Sequence, residues 1–209
     1  MDINQTVFIV DDDASICEAI SNLLDSVGIR SKCYYSAEDF WGVLDKTQPG
    51  CLLLDARLPG LSGMEFQEQL CREEIGLPVV FMTAHGDIPM VRKVMKAGAI
   101  EFLTKPFQKA DLLQAVHQAF DHDRTQREER AALKAIQTNI DSLTDREREV
   151  MALVTAGLLN KQIAAELELS EIMVKIHRRR VMEGMHAGSL AELVKMCERA
   201  KFRSKVAHT

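Results

Sequence analysis

The chain has 209 residues, 46% of them apolar and 27% charged, with a formal net charge of −5. That balance excludes a wholly disordered chain and suits one large domain or two small ones. No apolar run reaches the roughly 20 residues of a membrane span, and the five scattered cysteines, without a CxxC pair, exclude a zinc ribbon or disulfide framework.

The start, MDINQTVFIVDDD, lacks the basic segment of a signal peptide, so a reducing cytoplasmic setting is expected. Charge is shared unevenly: the net is −8 over residues 1–121, zero over 122–141 and +3 over 142–209. Such asymmetry predicts two modules with different partners.

Residues 1–121 alternate strand-like and helical patterns. Residues 6–10 read as a strand. Over 15–26, Ile16, Ala19, Ile20, Leu23 and Leu24 follow the apolar spacing of a helix face. An edge strand is expected at 30–35, a helix capped by Ser36 at 36–44 and a buried strand at 51–54. Further helices are expected at 64–74, 88–97 and 108–120, with strands at 78–82 and 101–103. Five β-α units predict a doubly wound α/β domain, its parallel sheet covered on both faces. Residues 122–141 are polar, helix-favouring and free of Pro and Gly, which predicts a helical linker.

Residues 142–209 read as all-α, with four helices. Thr144-Asp-Arg-Glu147 and Ser189-Leu-Ala-Glu192 have the form of capping boxes, Gly157 ends the first helix, and Asn160 and Ser170 are candidate caps. The tail from Phe202 onward is expected to fray.

Chemistry-bearing residues gather after the predicted strands. Asp11, Asp12 and Asp13 follow the first, Asp55 the third, Thr83 the fourth and Lys105 the fifth. Ligands of an open parallel sheet bind beyond the carboxyl ends of its strands. Carboxylates there call for a hard divalent ion, by default Mg²⁺, held by Asp11, Asp12, Asp55 and the backbone carbonyl of Arg57. With the ion present Asp55 is a candidate nucleophile toward phosphorus, Thr83 a hydroxyl donor to the phosphoryl group and Lys105 its charged donor. Asp13 is the acid best placed merely to cap the next helix.

The segments FIVDDD, LLLDARLPGLSGME, VVFMTAHGD and AIEFLTKPF resemble the receiver domain of bacterial two-component response regulators over nearly all of residues 1–121. The resemblance implies a flavodoxin-like (βα)5 fold with Asp55 as phospho-acceptor and Asp11 and Asp12 as the acidic pair. Thr83 is then the switch hydroxyl, Lys105 the family's lysine, Phe102 an aromatic switch and Lys105–Pro106 a cis bond. It also implies a sensor histidine kinase as partner and homodimerisation on phosphorylation. One alternative is an aspartyl-phosphate phosphatase of the haloacid-dehalogenase type, whose nucleophile is followed two residues later by a second acid. After Asp55 that position holds Arg57, but after Asp11 it holds Asp13.

In the helical module, residues 160–167 read as a scaffold helix and 171–183 as a second helix. Lys175, Arg178 and Arg179 stand at i, i+3 and i+4 there, beside Arg180, while Val174 and Val181 form an inward stripe. By itself such a basic face is more often plainly solvated, but its place after a capped turn in the only net-positive part of an acidic chain reverses that. DREREV, AGLLNKQIAAEL and VKIHRRRVM resemble the LuxR/FixJ-type helix-turn-helix output domain. That resemblance implies promoter DNA as partner, with Lys175, Ile176 and Arg179 at base edges and Lys161, Arg178 and Arg180 at phosphates. Two departures stand out: Met173 occupies a position where the family usually has threonine, and Gly184 weakens the end of the recognition helix. Helices of this type also resemble sigma-factor region four, which keeps RNA polymerase open as an alternative partner.

Overall fold

The computed structural model describes residues 5–84 and 88–202, with only the backbone of residues 88–90. The HGD end of the VVFMTAHGD motif and residues 203–209 lie outside the described residues; Phe202, expected to fray with the tail, instead packs against the core of the last helices and donates its N–H to the Cys197 carbonyl at 2.9 Å. The chain divides into two compact units, Met1–Arg127 and Glu128–Thr209.

The first unit alternates β1 (Thr6–Val10), α1 (Ala14–Asp25), β2 (Arg30–Tyr34), α2 (Ala37–Val43), β3 (Gly50–Asp55), α3 (Gly63–Arg72), β4 (Val79–Thr83), α4 (Ile88–Lys96) and β5 (Glu101–Thr104). The strands pair in parallel in the order β2-β1-β3-β4-β5, so the expected edge strand is at an edge. Side chains alternate between faces with a period of two. Phe8, Val10, Leu52, Leu54 and Phe81 pack with Phe40, Phe66 and Val94 of α2, α3 and α4. Val7, Ile9, Cys51, Leu53, Val80 and Met82 pack on the other face with Cys17, Ile20 and Leu24 of α1 and with Leu112, Val116 and Ala119. This is the doubly wound, flavodoxin-like arrangement. Each large apolar side chain buried there contributes about 1.5–3 kcal/mol, which holds the strand ends rigid where the chemistry sits.

Local signals set the helix starts. Asp13 caps α1 by accepting the Ser15 N–H, and Ser36 caps α2 by accepting the Asp39 N–H. The helix expected at 108–120 and the helical linker at 122–141 are continuous, forming α5 (Lys109–Ser142), because nothing between them interrupts it. Its segment 122–141 is divided between the two units. Asp123 bonds to Gly50 at the start of β3 and Arg127 to the chain just before it, whereas Ile136 and Ile140 join the core of the second unit.

That second unit adds α6 (Asp145–Thr155), α7 (Asn160–Glu166), α8 (Glu171–Gly184) and α9 (Leu190–Arg199). Val150, Met151, Ile163, Val174, Val181, Met185 and Leu193 fill its centre. Thr144 and Glu147 close a reciprocal capping box. Two local readings need correction. Asn160 is the first residue of α7 rather than its cap, and Gln162 reaches back to the Leu159 N–H. Ser189 caps α9, but Glu192 returns to the Gly188 N–H, one residue short of a closed box. Gly184 stands at the end of α8, where its weak helix propensity is expected to act. It is the last helical residue, and a Cβ there would stand 2.7 Å from Leu143 Cδ2, so its smallness admits close packing. Among the described residues no helix is long and apolar enough to cross a membrane.

Candidate functional site

Parallel pairing brings the carboxyl ends of the strands to one edge of the sheet. Val10 is level with Leu54, Asp55 with Met82, and Thr83 with Thr104. Asp11, Asp55, Thr83 and Lys105 therefore leave the sheet together. Asp11, Asp12 and Asp55 each bring a carboxylate oxygen within 4.8 Å of the others. Asp11 and Asp55 are buried, and Asp12 is exposed at the mouth.

Lys105 joins the two buried acids: its Nζ donates to Asp11 Oδ2 and stands 3.3 Å from Asp55 Oδ2. Burial lifts the Asp11 pKa above the usual carboxylate value, against the opposing hydrogen bond from Lys105. Burial also works against the Lys105 ammonium, but the Asp11 hydrogen bond and the charges of Asp11 and Asp55 outweigh it and hold that pKa above the ordinary lysine value. Backbone donors aim the acids: the Asp13 N–H points at Asp11 Oδ1 (3.1 Å) and the Arg57 N–H at Asp55 Oδ1 (3.3 Å). The thiol of Cys17 donates to the Asp11 carbonyl at 3.5 Å, and burial pushes its pKa up to about 12, so it stays a neutral packing group.

Three carboxylates face one ammonium here, all with hard oxygen donors. The pocket keeps net negative charge after Lys105 is counted, and its chemistry fits a divalent cation of the Mg²⁺ type.

Thr83 is buried at the end of β4, and its carbonyl accepts the Lys105 N–H at 2.7 Å. The Lys105–Pro106 bond is cis. Phe102 is half-buried on β5 and packs against the α2–α4 side of the core. Phe81 is level with Phe102 and Thr83 with Thr104, so Thr83 and Phe102 share one face of adjacent strands.

Sequence reasoning missed two supports of this pocket. Ser62 caps α3 in a closed box with Glu65, for which S-x-x-E was the available signal. Gly63 lies so close to the segment after β3 that a Cβ would meet the Asp55 carbonyl oxygen at 2.6 Å. Nothing in the spacing announces that contact.

In the second unit, α7 and α8 form the helix pair. Val174 and Val181 are buried, as their spacing required. Lys161, Lys175, Ile176, Arg179 and Arg180 are exposed. Arg178 is half-buried, and its Nη1 donates to Asn160 Oδ1 at 2.9 Å, tying α8 to the start of α7. Arg179 pairs with Glu183 at 2.8 Å and Arg180 lies 4.0 Å from Glu147, whereas Lys161 and Lys175 form no ion pair among the described residues. His177, which the sequence leaves open between helix packing and a phosphate contact, is half-buried with its Nδ1 out of solvent.

Comparison with known proteins agrees with both units. Residues 7–117 match the response regulator receiver domain family, and residues 141–197 match the luxR family of bacterial regulatory proteins. The chain is 47% identical to nodulation protein W of Bradyrhizobium diazoefficiens over 195 residues, covering 92% of this chain and 85% of that one. It is similar to the structure of the response regulator StyR, with a TM-score of 0.83 and 46% identity over 94% of this chain and 99% of that one. Full-length FixJ from B. japonicum matches at 34% identity and a TM-score of 0.58, over 96% of this chain and 98% of that one. The receiver unit implies a histidine kinase partner and the luxR-type unit implies DNA binding, so the phosphatase alternative falls away. The chain belongs to the FixJ-type response regulators of two-component systems, a family of DNA-binding transcription regulators built from a receiver domain and a LuxR-type helix-turn-helix domain.

Proposed function

We propose that Asp55 accepts a phosphoryl group from a partner histidine kinase and that this modification controls promoter binding by α8. The observation that carries the reading is the meeting of Asp11, Asp55 and Lys105 from the ends of three strands. Asp11, Asp12, Asp55 and the carbonyl of Arg57 would hold Mg²⁺, which supplies charge neutralisation between the acceptor carboxylate and the incoming phosphoryl group. An Asp55 oxygen forms a bond to phosphorus as the P–N bond to the donor histidine breaks, its electron pair returning to the imidazole. Lys105 exchanges its contact with Asp55 for a phosphoryl oxygen, and the Thr83 hydroxyl turns to another.

The new group adds about −1.5 to −2 charge at the pocket. Thr83 and Phe102 share a face of β4 and β5, so movement of the first vacates space for the second. A few kcal/mol of differential bonding shifts a two-state population. The changed surface around α4 and β5 pairs two receivers. In the cytoplasm such a dimer presents two α8 helices to two half-sites. Lys175, Ile176 and Arg179 read base edges, and Lys161, Arg178 and Arg180 contact phosphates.

The test is labelling with acetyl phosphate and Mg²⁺. Wild type becomes labelled and Asp55→Asn does not. A variant labelled at the wild-type rate removes Asp55 from its role.

A further inference from the structure

We infer that Ile172 is a base-reading residue, packing with Ile176 against thymine methyl groups. The inference rests on the reading that α8 enters the major groove, and it adds a specificity-determining residue that the basic pattern did not indicate.

Ile172 is 71% exposed on the first turn of α8. Helix propensity does not explain an isoleucine there, since β-branched residues are middling helix formers. Packing within the unit does not explain it either, given its exposure. Its place on the helix is informative. Val174 and Val181, seven apart, are buried and define the inner line of α8. Ile172, Ile176 and Arg179 follow i, i+4 and i+7 and define the opposite line. Ile176 is 40% exposed, so two isoleucines one turn apart face outward. Met173, also 40% exposed, stands on the shoulder of the same turn.

The surroundings select the occupant. The core of a protein-docking patch is depleted of charged residues. Here Lys175 and Arg179 stand along the apolar line, and both are exposed. An apolar pair bordered on one side by Lys175 and followed by Arg179, which Glu183 pairs at 2.8 Å, suits the floor of a DNA major groove better than a protein partner. Thymine alone presents an apolar C5 methyl there, between rows of phosphates. The first residues of a recognition helix are those that meet base edges. Met173 on the same turn then extends the apolar contact.

The experiment uses the full chain treated with acetyl phosphate and Mg²⁺. Binding sites are selected from random duplexes, and each thymine of the selected site is replaced in turn by deoxyuridine, which removes only the methyl group. We expect uracil at one or two positions per half-site to weaken wild-type binding about fourfold each, the effect of one lost methyl contact. Ile172→Ala should weaken binding to the thymine duplex similarly and become indifferent to uracil at one of those positions, while Ile172→Val retains most of the discrimination. At 71% exposure the alanine variant should fold normally, which its thermal melt checks. Selective binding with no methyl dependence, or a uracil penalty unchanged in Ile172→Ala, overturns the assignment of Ile172 and leaves α8 as a DNA reader. Failure to select any sequence over random DNA overturns the DNA reading and this inference with it.

Discussion

Gly63 and Asp55 touch backbone to backbone across the start of α3. A Cβ on Gly63 would stand 2.6 Å from the Asp55 carbonyl oxygen, 3.0 Å from the Ala56 Cα and 3.0 Å from the Phe81 ring. The Gly63 N–H also donates to the Ala56 carbonyl at 3.2 Å. The Asp55 peptide, which carries the proposed phospho-acceptor, is therefore held by a residue without a side chain. Alanine at the first position of α3 gains helix propensity of at most about 1 kcal/mol. The overlap with fixed backbone is worse, costing about 1–3 kcal/mol. Gly63→Ala should lower the urea midpoint and slow labelling of Asp55. Unchanged values for both would mean that the close approach constrains nothing.

Glu147 is buried beneath the Thr144 N–H and hydroxyl, which donate to Oε2 at 3.0 and 2.8 Å. These bonds, the backbone one foremost, hold its pKa below the ordinary glutamate value of 4.5. A lowered folded-state pKa means stability that is complete above about pH 4.5 and lost as pH falls through the folded value. Wild type should therefore lose stability between about pH 5 and 3 more steeply than Glu147→Gln. Thr144→Ala should cost about 1 kcal/mol at neutral pH. Parallel acid-melting curves for wild type and Glu147→Gln would remove the box as a source of that slope.

Much of this was legible in the chain because periodicity and position carry it. The runs ending at Asp11, Asp55, Thr83 and Lys105 are short and apolar, and the parallel-sheet rule gathers their ends without any knowledge of contacts. The Val174 and Val181 stripe likewise orients α8. What stayed hidden depends on three-dimensional approach. Gly63 and Gly184 are small because particular atoms lie against them, the Asp55 carbonyl and Leu143 Cδ2. Asn160 looks like a cap in sequence, but the chain enters α7 one residue earlier and its side chain is taken by Arg178. In the segment 122–141, Asp123 and Arg127 resemble any other charged pair, since only the fold brings Gly50 to them.

That pair forms a clasp. Asp123 is 1% exposed, and its carboxylate accepts the Gly50 N–H at 3.0 Å and Arg127 Nε at 2.8 Å. The Arg127 fork continues to the carbonyls of Thr47 and Gln48 at 2.8 and 2.7 Å. Arg127→Ala strands a buried carboxylate, at a cost of about 3 kcal/mol, the low end of the usual range because the Arg127 side chain is 34% exposed. Arg127→Lys should rescue little, since an ammonium cannot reproduce the fork. Urea unfolding measures both, and hydrogen exchange at Gly50 should rise in the alanine variant. A cost below about 0.5 kcal/mol, typical of plain surface changes, would show that the clasp is idle.

On α8, the Arg179 guanidinium is committed to Glu183, Nε to Oε1 at 2.8 Å, although the side chains are 82% and 59% exposed. An exposed pair of this kind contributes about 0–1 kcal/mol to stability, so its loss is minor to the fold. Its effect on DNA binding is larger. On the proposed reading, Glu183 occupies the cation assigned to a base edge and would set a negative charge near phosphates. Glu183→Gln should leave the melting temperature nearly unchanged and tighten binding to the selected site about fivefold at low salt. The gain should shrink as salt rises, because screening weakens the repulsion that the substitution removes. Titration of wild type and variant against one duplex at several salt concentrations measures both effects. Weaker or unaltered binding by Glu183→Gln would place Arg179 away from the DNA and leave Lys175 as the charged base reader of α8.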